Sequence, residues 1–389
     1  MLRAASILQG NDLKVEPRYQ RRLDELVELC QQSLPSFDEE RLRRAFRISY
    51  WAHRNDRRKS GEAYISHPLE VAFIVAKDIG IDDVTVVAAL LHDVVEDTEI
   101  SLDFVREEFG EPIANIIDGL TKISGVFASG AMGHAENVRK LMLSMATDIR
   151  VILVKFADRL HNMRTIEAMS RHKQIKTASQ TLELFAPLAH RFGLFAIKSE
   201  LEDLSLKVLH PEDYRAILEG IKDSRANRES YIRTFSEPLK ERLRLDGFDF
   251  DIYGRSKNIY SVYRKMKAQN KPIDEIYDLF AVRVVLKSTG KKGKEDCWRV
   301  YSIITDLYKP LPERFRDFLS VPKSNGYQSL HTTVLGPDGR RVEVQIRTRE
   351  MHEVAERGLA AHWKYKEGVT DSDGQMERFL SWVRELLES

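Results

Sequence analysis

The hydrophobic pattern of this chain changes period once, near residue 247, and that change decides what it can fold into. From about residue 20 to residue 220, apolar residues recur at helical spacing with no long alternating stretch between them. The pattern predicts helices over Arg21–Gln31, Glu39–Arg54, Pro68–Asp78, Val84–Val95, Leu102–Phe109, Asn137–Thr147, Ile149–Arg164 and Lys173–Phe185. Glycine-rich Gly125–Gly133 interrupts them and reads as a mobile loop. Beyond residue 247 the period becomes two, and strands are expected over Asp249–Tyr253, Leu279–Leu286, Leu330–Leu335 and Arg341–Arg347. The last two flank Gly336-Pro337-Asp338-Gly339, which predicts a hairpin. Helices over Lys257–Gln269 and Cys297–Leu307 would cover the sheet, and lysine-rich Lys287–Asp296 reads as a polar loop. The expected organisation is multidomain: an all-α domain (1–200), a helical connector (201–235), an α+β domain with a mixed sheet (236–366) and a C-terminal helical segment (367–389). The last predicted helix, Met376–Leu387, runs into the chain end uncapped, as in a fragment of something longer.

A length of 389 residues exceeds one average core, in keeping with that division. The net charge of +1 gives little support to a nucleic-acid-binding module, which needs a basic face interleaved with aromatics. Two cysteines, Cys30 and Cys297, make neither a disulfide framework nor a four-cysteine zinc site. The first ten residues lack a signal-peptide core, and the longest apolar run, Val86–Leu91, is far too short to span a membrane. The expectation is a cytoplasmic protein with no membrane partner.

Two constellations carry chemistry. In the helical half, the all-apolar Val84–Leu91 helix ends in His92-Asp93-Val94-Val95-Glu96-Asp97. A helix apolar on every side is buried, so it delivers an imidazole and three carboxylates into an interior that tolerates them only with a cation. His92 and Asp93 are the candidate ligands, and Glu96 and Asp97 are left to handle protons. His67 precedes Pro68 at a helix start, and Asp158 follows the apolar run Val151–Val154, with Asn162 and Thr165 on its face. His67, His92, Asp93 and Asp158 form a nitrogen–oxygen set that favours Mn²⁺ or a similar hard ion over structural zinc. Each residue alone is ordinary; together they resemble the HD phosphohydrolase superfamily, whose H…HD…D order they follow. Arg58 and Lys59 are candidate phosphate ligands.

In the second half, strict alternation along Arg341–Arg347 puts Glu343, Gln345 and Arg347 on one strand face. Asp278 opens another strand, and two carboxylates across a sheet suit Mg²⁺ on nucleotide phosphates. Gly254-Arg255-Ser256-Lys257 leads into a helix, where two cations and a helix N-terminus would cradle a triphosphate. Lys323 sits in a turn with Tyr327, a residue able to stack on a purine, and His331 alternates with Ser329 on the next strand.

In this order the motifs resemble the RelA/SpoT homologue family of (p)ppGpp synthetase/hydrolases. The stretches RKSGEAYISHP (58–68), HDVVEDT (92–98), DRLHNMRT (158–165), APLAHRFG (186–193), ELED (200–203) and LHPEDY (209–214) carry the likeness in the first half. Gly254–Met266, Tyr277–Arg283, Asn325–Val334 and Val342–Thr348 carry it in the second. The resemblance implies an HD-type hydrolase domain and a nucleotidyltransferase-like synthetase domain. The first would remove the 3′-pyrophosphate of (p)ppGpp with Mn²⁺ on His67, His92, Asp93 and Asp158. Its catalytic residues would be Glu96, Asp97 and Asn162, with Arg58, Lys59, Ser60 and Thr165 around the nucleotide. The second would transfer pyrophosphate from ATP to the 3′-hydroxyl of GDP or GTP, with Mg²⁺ on Asp278 and Glu343. There Glu343 would activate the hydroxyl, and Arg255 and Lys257 would neutralise phosphates. Arg283, Lys323, Asn325, Tyr327, Gln328, His331 and Gln345 would hold the nucleotides. Ribosome or RNA contacts would belong to C-terminal domains absent from this chain. Three departures from the family pattern are visible: Ala63 and Ser256 where proline is common, and Arg316 where lysine is usual.

Overall fold

A computed structural model describes residues 15–34, 36–128, 148–223, 225–254, 258–272, 281–323 and 325–358. They form two compact units divided after Gln174, a helical unit and a unit built on a mixed sheet. No described helix is long and apolar enough to cross a membrane.

The helical unit is arranged around helix Asp83–Leu91, in which every residue from Val86 to Leu91 is fully buried. Helices Glu39–Ala52, Ser66–Ile74 and Glu111–Ala128 pack around it, and Ile149–Arg164 closes the bundle. Caps set the starts: Asp82 accepts from Thr85 N at 2.8 Å, and Asp148 from Arg150 N at 2.8 Å. The expected helix Val84–Val95 is broken. It ends at Leu91, turns through His92 and Asp93, and resumes for one turn over Val94–Asp97. Helix Glu111–Ala128 was not expected, and it makes the first residues of the expected loop Gly125–Gly133 helical. Buried Ile113, Ile116, Ile117, Leu120 and Ile123 recur at helical spacing and outweigh the glycines. Gly119 lets this helix approach Ile149–Arg164: a Cβ there would lie 2.7 Å from Val151 Cγ2. The rest of that loop, the expected helix Asn137–Thr147 and the C-terminal helix Met376–Leu387 lie outside the described residues.

In the second unit the strands are β1 (Phe250–Gly254), β2 (Ala281–Leu286), β3 (Lys309–Pro310), β4 (Arg316–Asp317), β5 (Leu330–Leu335) and β6 (Arg341–Thr348). Their order is β1-β2-β6-β5-β3, with β4 also on β5. The β2–β6 pair is parallel and the others are antiparallel, so the sheet is mixed as expected. β5 and β6 form the predicted hairpin, closed through Asp338 and Gly339 at positive φ. One face is apolar: Val282, Val284, Val344 and Ile346 pack with Phe235 and Leu239 from helix Arg225–Leu245, and with Val300 and Ile304 from helix Gly290–Leu307. The expected loop Lys287–Asp296 is therefore mostly helix. Gly293 is buried against β6, where a Cβ would lie 2.7 Å from Thr348 Cγ2, and Asp296 is buried too. Helices Phe195–Leu209 and Pro211–Asp223 pack with this unit. Gly193 and Gly358 meet backbone to backbone: a Cβ on Gly193 would stand 2.9 Å from Gly358 Cα.

Candidate functional site

The break after Leu91 shapes the first site. His92 stays buried, its Nδ1 2.8 Å from the carbonyl of Ala89. Its Nε2 is 3.0 Å from Asp93 Oδ2 and makes no well-formed hydrogen bond. His67, buried on helix Ser66–Ile74, brings its Nε2 to 3.5 Å from the same carboxylate oxygen and 3.3 Å from Asp158 Oδ1. Among the described residues, His67, His92 and Asp93 offer ligand atoms within 4.8 Å of one another, and Asp158 adjoins them through His67. Two buried imidazole nitrogens facing carboxylate oxygens fit a divalent cation. Electrostatics agree: burial disfavours a charged His92, yet Asp93 outweighs it and lifts the imidazole to about 9. Burial likewise opposes an ionised Asp158, but Lys155, with Nζ 2.7 Å from Oδ2, holds its carboxyl well below the usual range.

Glu96 and Asp97 differ from expectation in one respect. The final turn Val94–Asp97 leaves both exposed, so the interior receives one carboxylate of this run, not three. Asp97 is nonetheless tied in, because Tyr64 Oη lies 2.6 Å from Asp93 Oδ2 and 3.3 Å from Asp97 Oδ2. Partial burial and then Asp93 push the Asp97 carboxyl upward.

Beside the cluster lies a cavity of about 240 Å³ lined by Arg58, Lys59, Ser60, Tyr64, Thr165 and Met169 among others. Arg58 Nη2 donates to Thr165 Oγ1 at 3.0 Å and to Asn162 Oδ1 at 3.3 Å, while Asn162 Nδ2 donates to Asp158 Oδ1 at 2.6 Å. A tight turn presents Arg58: its amide donates to Glu62 O, and Gly61 at φ 90° closes it.

The second site is a cavity of about 720 Å³ in the sheet unit. Arg283, Lys323, Tyr327, His331 and Gln345 line it together. Pairing β2 parallel to β6 sets Arg283 opposite Gln345 and Ala281 opposite Glu343. The polar face of β6 is no solvent face: Gln345 and Arg347 are buried, Arg347 Nη2 donates to Gln345 Oε1 at 3.1 Å, and Gln345 Nε2 donates to Glu343 Oε1 at 2.9 Å. Tyr327 is held edge-on by Phe195 and Phe318, with its hydroxyl 2.7 Å from His331 Nε2. Burial pulls the Lys323 ammonium down. Asn325 is absent from that lining. Its Nδ2 donates to His190 O and its Oδ1 accepts from Tyr327 N, so it shapes the loop carrying Tyr327. Gln328 and Glu343 are also absent from the lining. Arg255, Ser256, Lys257 and Asp278 lie outside the described residues. The helix after them starts differently from expectation: the amides of Ile259 and Tyr260 donate to Asp203 at 3.3 and 2.7 Å, so a carboxylate already fills that N-terminus. Arg316 donates from Nη1 alone to the carbonyls of Glu313 and Phe315.

Sequence reasoning missed Tyr64, His161, Lys155 and Asp203. His161 had a usable signal, since it follows Asp158 at i+3 on the face that carries Asn162 and Thr165. Its buried ring places Nδ1 2.7 Å from His67 Nδ1; burial, then His67 and Arg58, hold it down at about 3.

Residues 45–195 match the HD domain, and residues 254–370 match the region found in RelA / SpoT proteins. The chain is 48% identical over 351 residues to a probable guanosine-3′,5′-bis(diphosphate) 3′-pyrophosphohydrolase of Synechocystis sp., covering 89% of this chain and 45% of that protein. It is 43% identical over 358 residues to a GTP pyrophosphokinase of Myxococcus xanthus, covering 91% and 46%. It is 42% identical over 367 residues to the bifunctional (p)ppGpp synthase/hydrolase SpoT of Escherichia coli K12, covering 94% and 51%. The chain thus spans about half the length of the curated relatives it matches. An HD domain followed by a RelA/SpoT region, at this identity across nearly the whole chain, makes it a member of the RelA/SpoT family.

Proposed function

We propose that the chain is a two-site alarmone enzyme. The helical unit hydrolyses the 3′-pyrophosphate of (p)ppGpp, and the sheet unit makes (p)ppGpp from ATP and GDP or GTP. The observation that carries this reading is the junction of two features: the buried His67–His92–Asp93–Asp158 cluster and the cavity where Arg58 is tied to Asn162 and Thr165. A cation centre beside an arginine-walled pocket is what a phosphate ester needs. Mn²⁺ suits the nitrogen–oxygen set, and once bound it supplies Lewis acidity and a more acidic water. The chain's own groups do the rest. Arg58, Lys59 and Ser60 bind phosphate oxygens, and Asn162 and Thr165 hold the Arg58 guanidinium in place. Glu96 and Asp97, at the cluster's open side, steer the attacking water or protonate the leaving 3′-oxygen.

In the sheet unit, Tyr327 presents its ring to guanine, while His331 and Gln345 contact the acceptor nucleotide. Lys323 and Arg283, with Arg255 and Lys257, meet phosphates. Asn325 and Gln328 shape the acceptor loop. Glu343 takes the proton of the attacking 3′-hydroxyl, and with Asp278 it would hold Mg²⁺ on the donor phosphates. Free nucleotides as substrates imply a cytoplasmic setting.

Chromatography of two reactions tests the proposal. ATP plus GDP with Mg²⁺ should yield AMP and ppGpp, and ppGpp with Mn²⁺ should yield GDP and pyrophosphate. Hydrolysis without synthesis would leave the sheet unit a nucleotide sensor; synthesis without hydrolysis would mean that the metal-centre assignment is wrong or that the chain is locked in one state.

A further inference from the structure

We propose that His161 is a positioning residue of the metal centre, accepting a hydrogen bond from His67 Nδ1 and so turning the Nε2 lone pair of His67 onto the cation. The inference rests on reading the cluster as a divalent-metal site. The two Nδ1 atoms are 2.7 Å apart, between rings whose centroids are 4.9 Å apart. That separation requires a single hydrogen between them, since two lone pairs or two hydrogens would repel. The far side of His67 decides which ring carries it. Nε2 faces Asp158 Oδ1 at 3.3 Å and Asp93 Oδ2 at 3.5 Å, among the cluster's other ligand atoms. A ligating nitrogen must offer a lone pair, and a neutral imidazole has one N–H, which therefore sits on Nδ1 and points at His161. His161 must in turn keep Nδ1 bare and carry its hydrogen on Nε2.

The placement has a structural logic. Helix Ile149–Arg164 carries both Asp158 and His161, so one rigid element sets a ligand and orients a second ligand on another helix. The carbonyl of His161 accepts from Thr165 N and Thr165 Oγ1, each at 3.1 Å, and Thr165 Oγ1 accepts from Arg58. His161 thus joins the metal centre to the arginine pocket through two short hydrogen-bonded steps.

Mn²⁺ titration of the full chain, read by the electron paramagnetic resonance of free Mn²⁺, tests this. His161→Asn sets an amide oxygen near the position of Nδ1, whereas His161→Gln reaches beyond it and His161→Phe offers no acceptor. Phe and Gln should each weaken Mn²⁺ binding by roughly 10–100-fold, the usual loss for a removed outer-shell partner, with Asn staying within about threefold of the parent. Melting temperatures without metal identify any variant that fails to fold; the Asn–Gln contrast then decides the point. In the Zn²⁺-loaded chain, long-range ¹H–¹⁵N spectra should show the His67 proton on Nδ1. Parent-like binding in both Phe and Gln, or a proton on Nε2, overturns the role of His161. If the parent itself binds no divalent ion, and so does not differ from Asp93→Asn, the metal reading fails and the positioning role falls with it.

Discussion

The two units build polar sites by opposite routes. In the helical unit the functional groups pair with one another: His92 with Asp93, Lys155 with Asp158, Asn162 with both Asp158 and Arg58. Such a site is compact, and its polar groups are tied to one another within the unit. In the sheet unit the groups line a cavity three times larger, and a buried guanidinium and amide form part of its wall. That arrangement is ordered by its backbone, since parallel and antiparallel neighbours fix the spacing of β6 side chains. The contrast teaches that the first site depends on each charge partner, whereas the second depends on register and on the loop that carries Tyr327.

The sharpest way to break this contrast is to disable one site alone. Asp93→Asn removes a proposed ligand and should lower (p)ppGpp hydrolysis by on the order of 10³-fold or more, with synthesis intact, in paired nucleotide assays. Loss of both activities would show that the sites are not independent. The mirror variant, Glu343→Gln, should cost synthesis roughly 10²–10⁴-fold through loss of the proposed proton acceptor and leave hydrolysis unchanged. A smaller effect follows from Tyr327. Truncation to alanine removes a stacking ring worth about 1–3 kcal/mol, so KM for GDP should rise roughly 5- to 150-fold, while Tyr327→Phe keeps most of the affinity. An unchanged KM in Tyr327→Ala would remove the ring from the acceptor site.

The smallest expected effect is on stability against pH. Burial, then Arg347 and Arg283, depress the His352 imidazole to about 4, against an ordinary value near 6.5. The unfolded chain therefore takes up this proton first as pH falls. The contribution is fully present above about pH 6.5 and is lost progressively between 6.5 and 4. Urea midpoints over that interval should fall less steeply in His352→Gln than in the parent; identical slopes would exclude His352 as a source.

Much of this was legible in advance, for reasons that differ by region. Helix Leu102–Phe109 and strand Leu330–Leu335 match their expected bounds because a clear period ends at clear punctuation: Ser101 and Gly110 in one case, Gly336 in the other. The cluster of His67, His92 and Asp93 was readable because an all-apolar helix ending in His-Asp carries polar groups toward the core, although only Asp93 of the three carboxylates is drawn in. What period cannot show is a local break. Through His92 and Asp93 the apolar pattern runs on, yet the backbone turns, and that turn exposes Glu96 and Asp97. Glycine and lysine content also misled at Gly125 and at Gly290–Asp296, where tertiary packing of the same helices overrode local composition. Asp203 was invisible as a cap because its acceptor role spans 56 residues of sequence.

The backbone contact between Gly193 and Gly358 sets an order of events as the chain is synthesised. Residue 193 leads into helix Phe195–Leu209, and residue 358 follows helix Arg349–Arg357, the last described element. A chain growing from its N-terminus makes the first half of this clasp long before the second. β2, likewise, must wait for β6 before its parallel edge is covered. The sheet is therefore completed late: one edge of β2 can pair with β1 at once, but the other stays open until β6, some sixty residues later, has emerged. In a growing chain, that interval is when the unit is most open to capture by chaperones or by a neighbouring copy's exposed strand.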